Sequence, residues 1–85
     1  MRARHDAPLP GDLVIIPVAA PRFELNFALA VFPHLERTGS AYVSYGYALQ
    51  QAHLNASRRH VQVWRLWPNA ERDLEHAEFE NVTSQ

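Results

Sequence analysis

The five histidines are the first candidates for chemistry, because imidazole binds metal ions and transfers protons near neutral pH. No two of them have the i, i+4 spacing of a zinc-protease helix, and the chain has no cysteine that could complete a metal site. His53 and His60 are the closest pair, seven residues apart. Either could meet Glu75 or Glu78 in space, but the spacing does not require it. The sequence therefore predicts no metal site and no cofactor.

Nucleophilic catalysis has no sequence signal either. No serine lies in a Gly-x-Ser-x-Gly elbow, and no glycine-rich segment could hold a phosphate. The acidic residues between positions 71 and 80 are typical of a solvated helix face, whereas paired catalytic carboxylates need burial. We therefore expect a protein that is not an enzyme.

Arginine and aromatic side chains are the next candidates for a binding surface. Arg58 and Arg59 come shortly before a segment in which Arg65 lies between Trp64 and Trp67. Such a surface can bind single strands, because the rings stack on bases and the guanidinium groups contact phosphates. The alternative function is therefore a small RNA- or single-stranded-DNA-binding protein that uses the three arginines. The acidic tail and the formal net charge of -1 argue against it.

The strand that positions these tryptophans raises the main structural question. Trp64 and Trp67 are three residues apart, and side chains at that spacing on a strand point to opposite faces of a sheet. The segment FALAVF at 27–32 is also apolar at both parities, so both faces need cover.

We expect a homodimer packed through the sheet face or edge, because large exposed apolar patches mark interfaces. A β-bulge that turns both indoles inward, or a ligand or partner site, is the alternative. The predicted interface comprises Phe27, Leu29, Val31, Phe32, Trp64 and Trp67.

Strands are predicted at 12–18, 23–33 and 61–67, and Pro17 predicts that the first of them is an edge strand. From Ser44, a suitable N-cap, the apolar period becomes that of a helix. The stripe on this helix consists of Tyr45, Ala48, Leu49, Ala52 and Ala56. A weaker helical pattern follows the third strand.

The predicted fold is an α+β domain with an antiparallel three-stranded sheet in the order β-β-α-β. One main helix packs on one face of the sheet, and a short C-terminal helix follows. We divide the chain into a flexible N-terminal arm at 1–11, a ββαβ core at 12–68 and a C-terminal helical tail at 69–85.

The segment SYGYALQQAHLNASRRHVQVWRLWP, residues 44–68, resembles short bacterial and phage-borne proteins of unknown function. Those proteins have a strand hairpin, a helix with a Ser-x-x-x-Ala-x-x-x-Ala pattern and a further strand. The pattern here is Ser44, Ala48 and Ala52, continued by Ala56, and the resemblance covers residues 12–68. The chain departs from it by lacking a glycine-containing turn after the last strand. The resemblance implies a small ββαβ module with no known activity.

Composition limits the remaining possibilities. A chain of 85 residues with 47% hydrophobic and 20% charged residues is typical of one globular domain, and the absence of cysteine suits a reducing compartment. No apolar segment approaches the roughly 20 residues of a membrane span, and no signal peptide is recognisable. We expect a protein of the bacterial-type cytoplasm with no membrane partner. Its expected function is that of a non-enzymatic, self-associating protein-interaction module.

Overall fold

A computed structural model of the chain describes residues 7–19, 25–39, 41–67 and 78–84. The elements in these ranges, in chain order, are β1 (Leu13–Ala19), β2 (Leu25–Val31), β3 (Glu36–Arg37), α1 (Tyr45–Arg59), β4 (Val63–Trp67) and β5 (Glu78–Asn81). The strands form one mixed sheet in the order β3-β2-β1-β4-β5. α1 packs on one face of this sheet and forms a core with β1, β2 and β4.

The predicted three-stranded antiparallel sheet with two helices is wrong in strand number and in the direction of one strand. β1 and β2 form the expected antiparallel pair. β4, however, runs parallel to β1, with Leu13 opposite Val63 and Ile15 opposite Arg65. β3 and β5 extend the sheet at its two sides.

The short strand β3 accounts for the direction of β4. After β2, the chain turns and runs back along β2, through β3 and then through a bridge between Phe27 and Tyr42. α1 therefore begins at the other end of the sheet from the end of β2 and returns along it. β4 then starts beside the start of β1 and runs in the same direction.

Pro17 lies in the central strand of the sheet and not in an edge strand as predicted. The N–H of Leu13 points toward β4 and donates to the carbonyl of Gln62 over 3.0 Å. Pro17 has the same orientation because it is an even number of residues further along β1, but it has no N–H to donate. The parallel pairing accordingly runs from Leu13 to Ile15 and ends before Pro17.

The prediction of α1 is confirmed. The side chain of Ser44 caps the helix by accepting a hydrogen bond from the N–H of Tyr47, and Ala48, Ala52 and Ala56 are its buried residues. Alanine leaves little side-chain volume between the helix and the sheet, so the two backbones lie close together. At the other end, His60 adopts the left-handed conformation and ends the helix.

A tight turn precedes β1. The N–H of Asp12 donates to the carbonyl of Leu9, with Pro10 and Gly11 between them. Gly11 has a φ of 96°, so the turn has the type II pattern, in which proline precedes a residue with positive φ. The N–H of Gly11 also donates to the carbonyl of Phe32, so a hydrogen bond connects the turn to the residue after β2.

The predicted helical tail is wrong for Glu78–Asn81, which form β5 and pair antiparallel with β4. Val82 follows β5, is fully buried in the core and donates its N–H to the carbonyl of Val63. This segment therefore completes the sheet and the core. Residues 69–77, the rest of the region where a helix was predicted, lie outside the described residues.

Candidate functional site

The two tryptophans point to opposite faces of the sheet. β4 pairs with β5 residue by residue, from Trp64 opposite Asn81 to Trp67 opposite Glu78, so no bulge turns both indoles inward. Trp64 is 1% exposed, whereas Trp67 is 39% exposed. The indole nitrogen of Trp64 donates to Asp12, and that of Trp67 donates to Glu80.

The sheet face that bears Trp64 is covered within a single chain at its centre. Val14 lies beside Trp64 in the sheet and Ala30 lies beside Val14, and both are fully buried as well. The rings of Phe32, just after β2, and Phe79, in β5, meet edge-on with centroids 5.8 Å apart, although β1 and β4 lie between those two strands. The two phenylalanines thus reach toward each other across this face, which does not need a second copy to bury Trp64.

The six residues of the predicted interface are divided between the two faces. Leu29 is a core residue on the helix side, where Phe27 and Val31 pack beside it. Trp64 and Phe32 belong to the opposite face, and Trp67 is the one side chain of the six that is exposed. The structure therefore does not bring the six together in one open surface, and an interface through them remains a prediction.

Arg65 lies between two aromatic rings. Its guanidinium carbon is 3.6 Å from the ring centroid of Trp67 and 4.0 Å from that of Tyr45. Arg65 also lies opposite Glu80 in the β4–β5 ladder, and Glu80 accepts the hydrogen bond of the Trp67 indole. The four side chains connect the first turn of α1 to the two strands at one side of the sheet.

The hydroxyl of Tyr45 is buried in this cluster and has no hydrogen-bond partner among the described residues. Burial raises the pKa of Tyr45 above its usual value of 10.0, and the negative charge of Glu80 acts in the same direction. The positive charge of Arg65 opposes both effects. The cluster therefore keeps the phenol of Tyr45 neutral beside the positively charged guanidinium group of Arg65.

The structure does not bring together the three arginines of the nucleic-acid alternative. Arg65 contacts Tyr45 at the beginning of α1, whereas Arg58 and Arg59 are exposed in its last turn. The helix rises about 20 Å over the residues between these two ends. Arg58 and Arg59 therefore share no continuous surface with the Arg65 cluster.

Two of the histidines lie near a shallow depression at the end of α1. The depression has a volume of about 350 Å³, and its polar lining comes from His53, Ser57, His60 and Thr83. The ring nitrogen Nε2 of His53 is 3.0 Å from the carbonyl oxygen of Val82, so it joins the helix to the residue after β5. Within the described residues, no three His, Asp or Glu side chains group as metal ligands would.

The outer face of α1, away from the sheet, and the residue just before the helix bear exposed apolar side chains. Val43, Tyr47 and Leu54 are 83%, 52% and 51% exposed. Tyr47 and Leu54 are seven residues apart, so they lie on one face of the helix, whereas Val43 comes just before the extended N-cap residue Ser44. Together with Gln50 and Arg58, which are exposed at the same helical spacing, they make up what we call the outer stripe.

The pattern of apolar residues in the sequence indicated the buried stripe of this helix but not the outer stripe. One signal for it is present: residues 43–57 contain no Asp, Glu, Lys or Arg. An exposed helix in a monomeric protein normally carries charges on its outer face. The ring of Tyr47 also meets that of Tyr42 edge-on at 5.3 Å, which makes the beginning of the stripe aromatic.

No described helix is long and apolar enough to cross a membrane. No family model, curated protein or solved structure matches this chain, so the resemblance to short bacterial and phage-borne proteins remains a prediction.

Proposed function

We propose that this protein is a non-enzymatic, self-associating interaction module whose contact surface is the outer stripe of α1. The observation that carries the proposal is the combination of three exposed large side chains, Val43, Tyr47 and Leu54, with a stretch of fifteen residues free of formal charge. Water-exposed apolar side chains gain free energy when a partner surface removes them from water.

The size of this surface indicates a weak association. Three such side chains expose roughly 300 Å² of apolar area per chain. A stable interface usually buries about 800 Å² on each partner. The surrounding polar atoms of the helix add area, but they contribute less free energy. We therefore expect a dimer in exchange with monomer, whose fraction depends on protein concentration.

The test is the molar mass in solution, measured by sedimentation equilibrium over a wide range of concentration. The wild-type mass should rise from 9.7 kDa toward twice that value. Leu54→Glu should remain monomeric, because a charge in the middle of the stripe would have to be desolvated on association. His34→Glu, at an exposed position outside the stripe, is the matched control and should associate like wild type.

Trp67→Glu distinguishes this surface from the predicted interface on the sheet. If Trp67→Glu prevents association and Leu54→Glu does not, the contact surface is on the sheet side and the proposal is wrong. A wild-type protein that stays monomeric at every concentration also contradicts it. Circular dichroism of each variant checks that the helix is retained.

A further inference from the structure

We infer that two copies of the chain pair through their outer stripes with the α1 helices antiparallel, about a two-fold axis between Gln50 and Gln51. This inference rests on the proposed function and adds the occupant of the surface and its orientation. It places Tyr47 of one copy against Leu54 of the other.

The spacing of the outer stripe suits a helix as its partner. Its members within the helix, Tyr47, Gln50, Leu54 and Arg58, are separated by three, four and four residues. Alternation of three and four is the spacing at which two helices pack along a common seam. The helical part of the stripe, from Tyr47 to Arg58, is about 17 Å long, so it can oppose a helix segment of equal length.

The two ends of the stripe differ in a way that favours the antiparallel orientation. The first end is aromatic, with the edge-on pair of Tyr42 and Tyr47, and the last end carries Arg58. In the antiparallel register, Arg58 of one copy lies about one helical turn from Tyr47 of the other, within reach of its long side chain, which allows an attractive cation–π contact. Parallel pairing would place the arginines of the last turn side by side, where their charges repel.

The centre of the stripe is compatible with a two-fold axis. Tyr47 and Leu54 are equally far from the midpoint between Gln50 and Gln51, so a two-fold axis there exchanges their places. A closed dimer needs a patch that is complementary to itself. The two glutamine side chains near the axis supply both donors and acceptors, and no charge has to be buried there.

Disulfide formation tests the orientation, because the chain has no cysteine of its own. Chains with Tyr47→Cys and chains with Leu54→Cys, carrying tags of different size, are oxidised separately and as a mixture. The antiparallel pair brings positions 47 and 54 of different copies together, so the mixture should form a disulfide between unlike chains. Like positions lie about 10 Å apart along the axis, beyond the reach of a disulfide, so each variant alone should remain reduced. Gln50→Cys, next to the axis, should oxidise by itself.

Arginine substitutions supply a readout that does not depend on oxidation. Arg58→Ala should weaken association about fivefold, because both cation–π contacts of the dimer are lost. Arg59→Ala, one residue away and about 100° around the helix, is the matched control and should leave association unchanged.

The outcomes separate the two proposals. If Tyr47→Cys and Leu54→Cys each oxidise alone and not with each other, the helices are parallel, and the inference is wrong while the proposed function stands. If wild type dimerises but neither the mixture nor Gln50→Cys oxidises, the dimer uses another surface and both are wrong. Association that is equally weakened by Arg58→Ala and Arg59→Ala would also overturn the inferred orientation.

Discussion

The indole Nε1 of Trp64 donates a 3.0 Å hydrogen bond to Oδ2 of Asp12, although 52 residues separate the two in the sequence. Both side chains are buried. The carboxylate of Asp12 also accepts hydrogen bonds from the backbone N–H groups of Leu9 and Gln62. One buried carboxylate therefore connects the turn before β1, the residue before β4 and the covered face of the sheet.

Replacement of Asp12 should be among the most destabilising changes in the chain. Asp12→Ala leaves three N–H donors without their acceptor in a buried site, which should lower the free energy of unfolding by about 3 kcal/mol. The measurement is urea denaturation followed by the fluorescence of Trp64, in a Trp67→Phe background that removes the exposed indole.

Asp12→Asn is the control for side-chain size. Its amide retains one oxygen, so it can satisfy some of the three donors but not all of them. Its free energy of unfolding should lie between those of wild type and Asp12→Ala. Equal stability of all three proteins would show that the hydrogen bonds of Asp12 contribute nothing measurable.

Val82 offers a test of the part of the core formed after β5. Val82→Ala removes two buried methyl groups and should lower the free energy of unfolding by roughly 1–3 kcal/mol. Val43→Ala makes the same chemical change at a residue that is 83% exposed. At a concentration where both proteins are monomeric, Val43→Ala should change the midpoint of thermal unfolding little. A similar effect of the two substitutions would contradict the burial of Val82.

The pKa of Tyr45 predicts a loss of stability at high pH. Burial and Glu80 raise this pKa above 10.0 in the folded protein, so the unfolded chain releases the phenolic proton first as the pH rises. The contribution of Tyr45 to stability is thus complete below pH 10.0 and is lost as the pH rises through the raised pKa. Urea denaturation on both sides of pH 10.0 should show this loss.

Tyr45→Phe should remove that part of the pH dependence. The effect can be observed directly in a variant with Tyr42→Phe and Tyr47→Phe, in which the tyrosinate absorbance reports Tyr45 alone. A titration midpoint at or below 10.0 in this variant would contradict the burial of the hydroxyl.

Arg65 tests the stacking between α1 and the strands. Arg65→Lys keeps the charge but removes the planar group that contacts the rings of Tyr45 and Trp67. We expect a loss of about 1 kcal/mol in the free energy of unfolding. Arg37→Lys, at an exposed position in β3, is the matched control and should have no effect. If both variants match wild type, the stacking does not stabilise the fold.

The helix was predictable from sequence because its determinants are local. Ser44 caps it, and the alanines at 48, 52 and 56 recur with the helical period, so no distant residue is needed to recognise it. The positions of the first two strands and of β4 were also expected to within two residues, because alternating apolar and β-branched residues are again a local pattern.

The direction of β4 was not predictable, because it depends on a strand of two residues. Glu36 and Arg37 have no strand pattern of their own, and their pairing with β2 depends on the turn that reverses the chain after Val31. β5 was missed for a related reason. Its sequence EFEN is acidic, and the features that make it a strand are its partners in β4, which are more than ten residues away.

The predicted interface was chosen by apolar content, which does not by itself distinguish exposed residues from buried ones. The sheet residues from Phe27 to Phe32 are apolar on both faces, and the single chain covers both at Leu29 and Ala30. The outer stripe is less conspicuous in the sequence, since only three of its residues are hydrophobic. What distinguishes it is the lack of charge around them, a property of the whole segment and not of any residue.

The position of β1 has a consequence for how the protein folds during its synthesis. β1 is made first but lies in the centre of the sheet, and its parallel partner β4 leaves the ribosome about 50 residues later. Until then, β1 can pair with β2, and β2 with β3, but the side of β1 that faces β4 in the complete sheet stays unpaired. A nascent chain that stalls before β4 should therefore expose the unpaired backbone edge of β1, of the kind that chaperones bind.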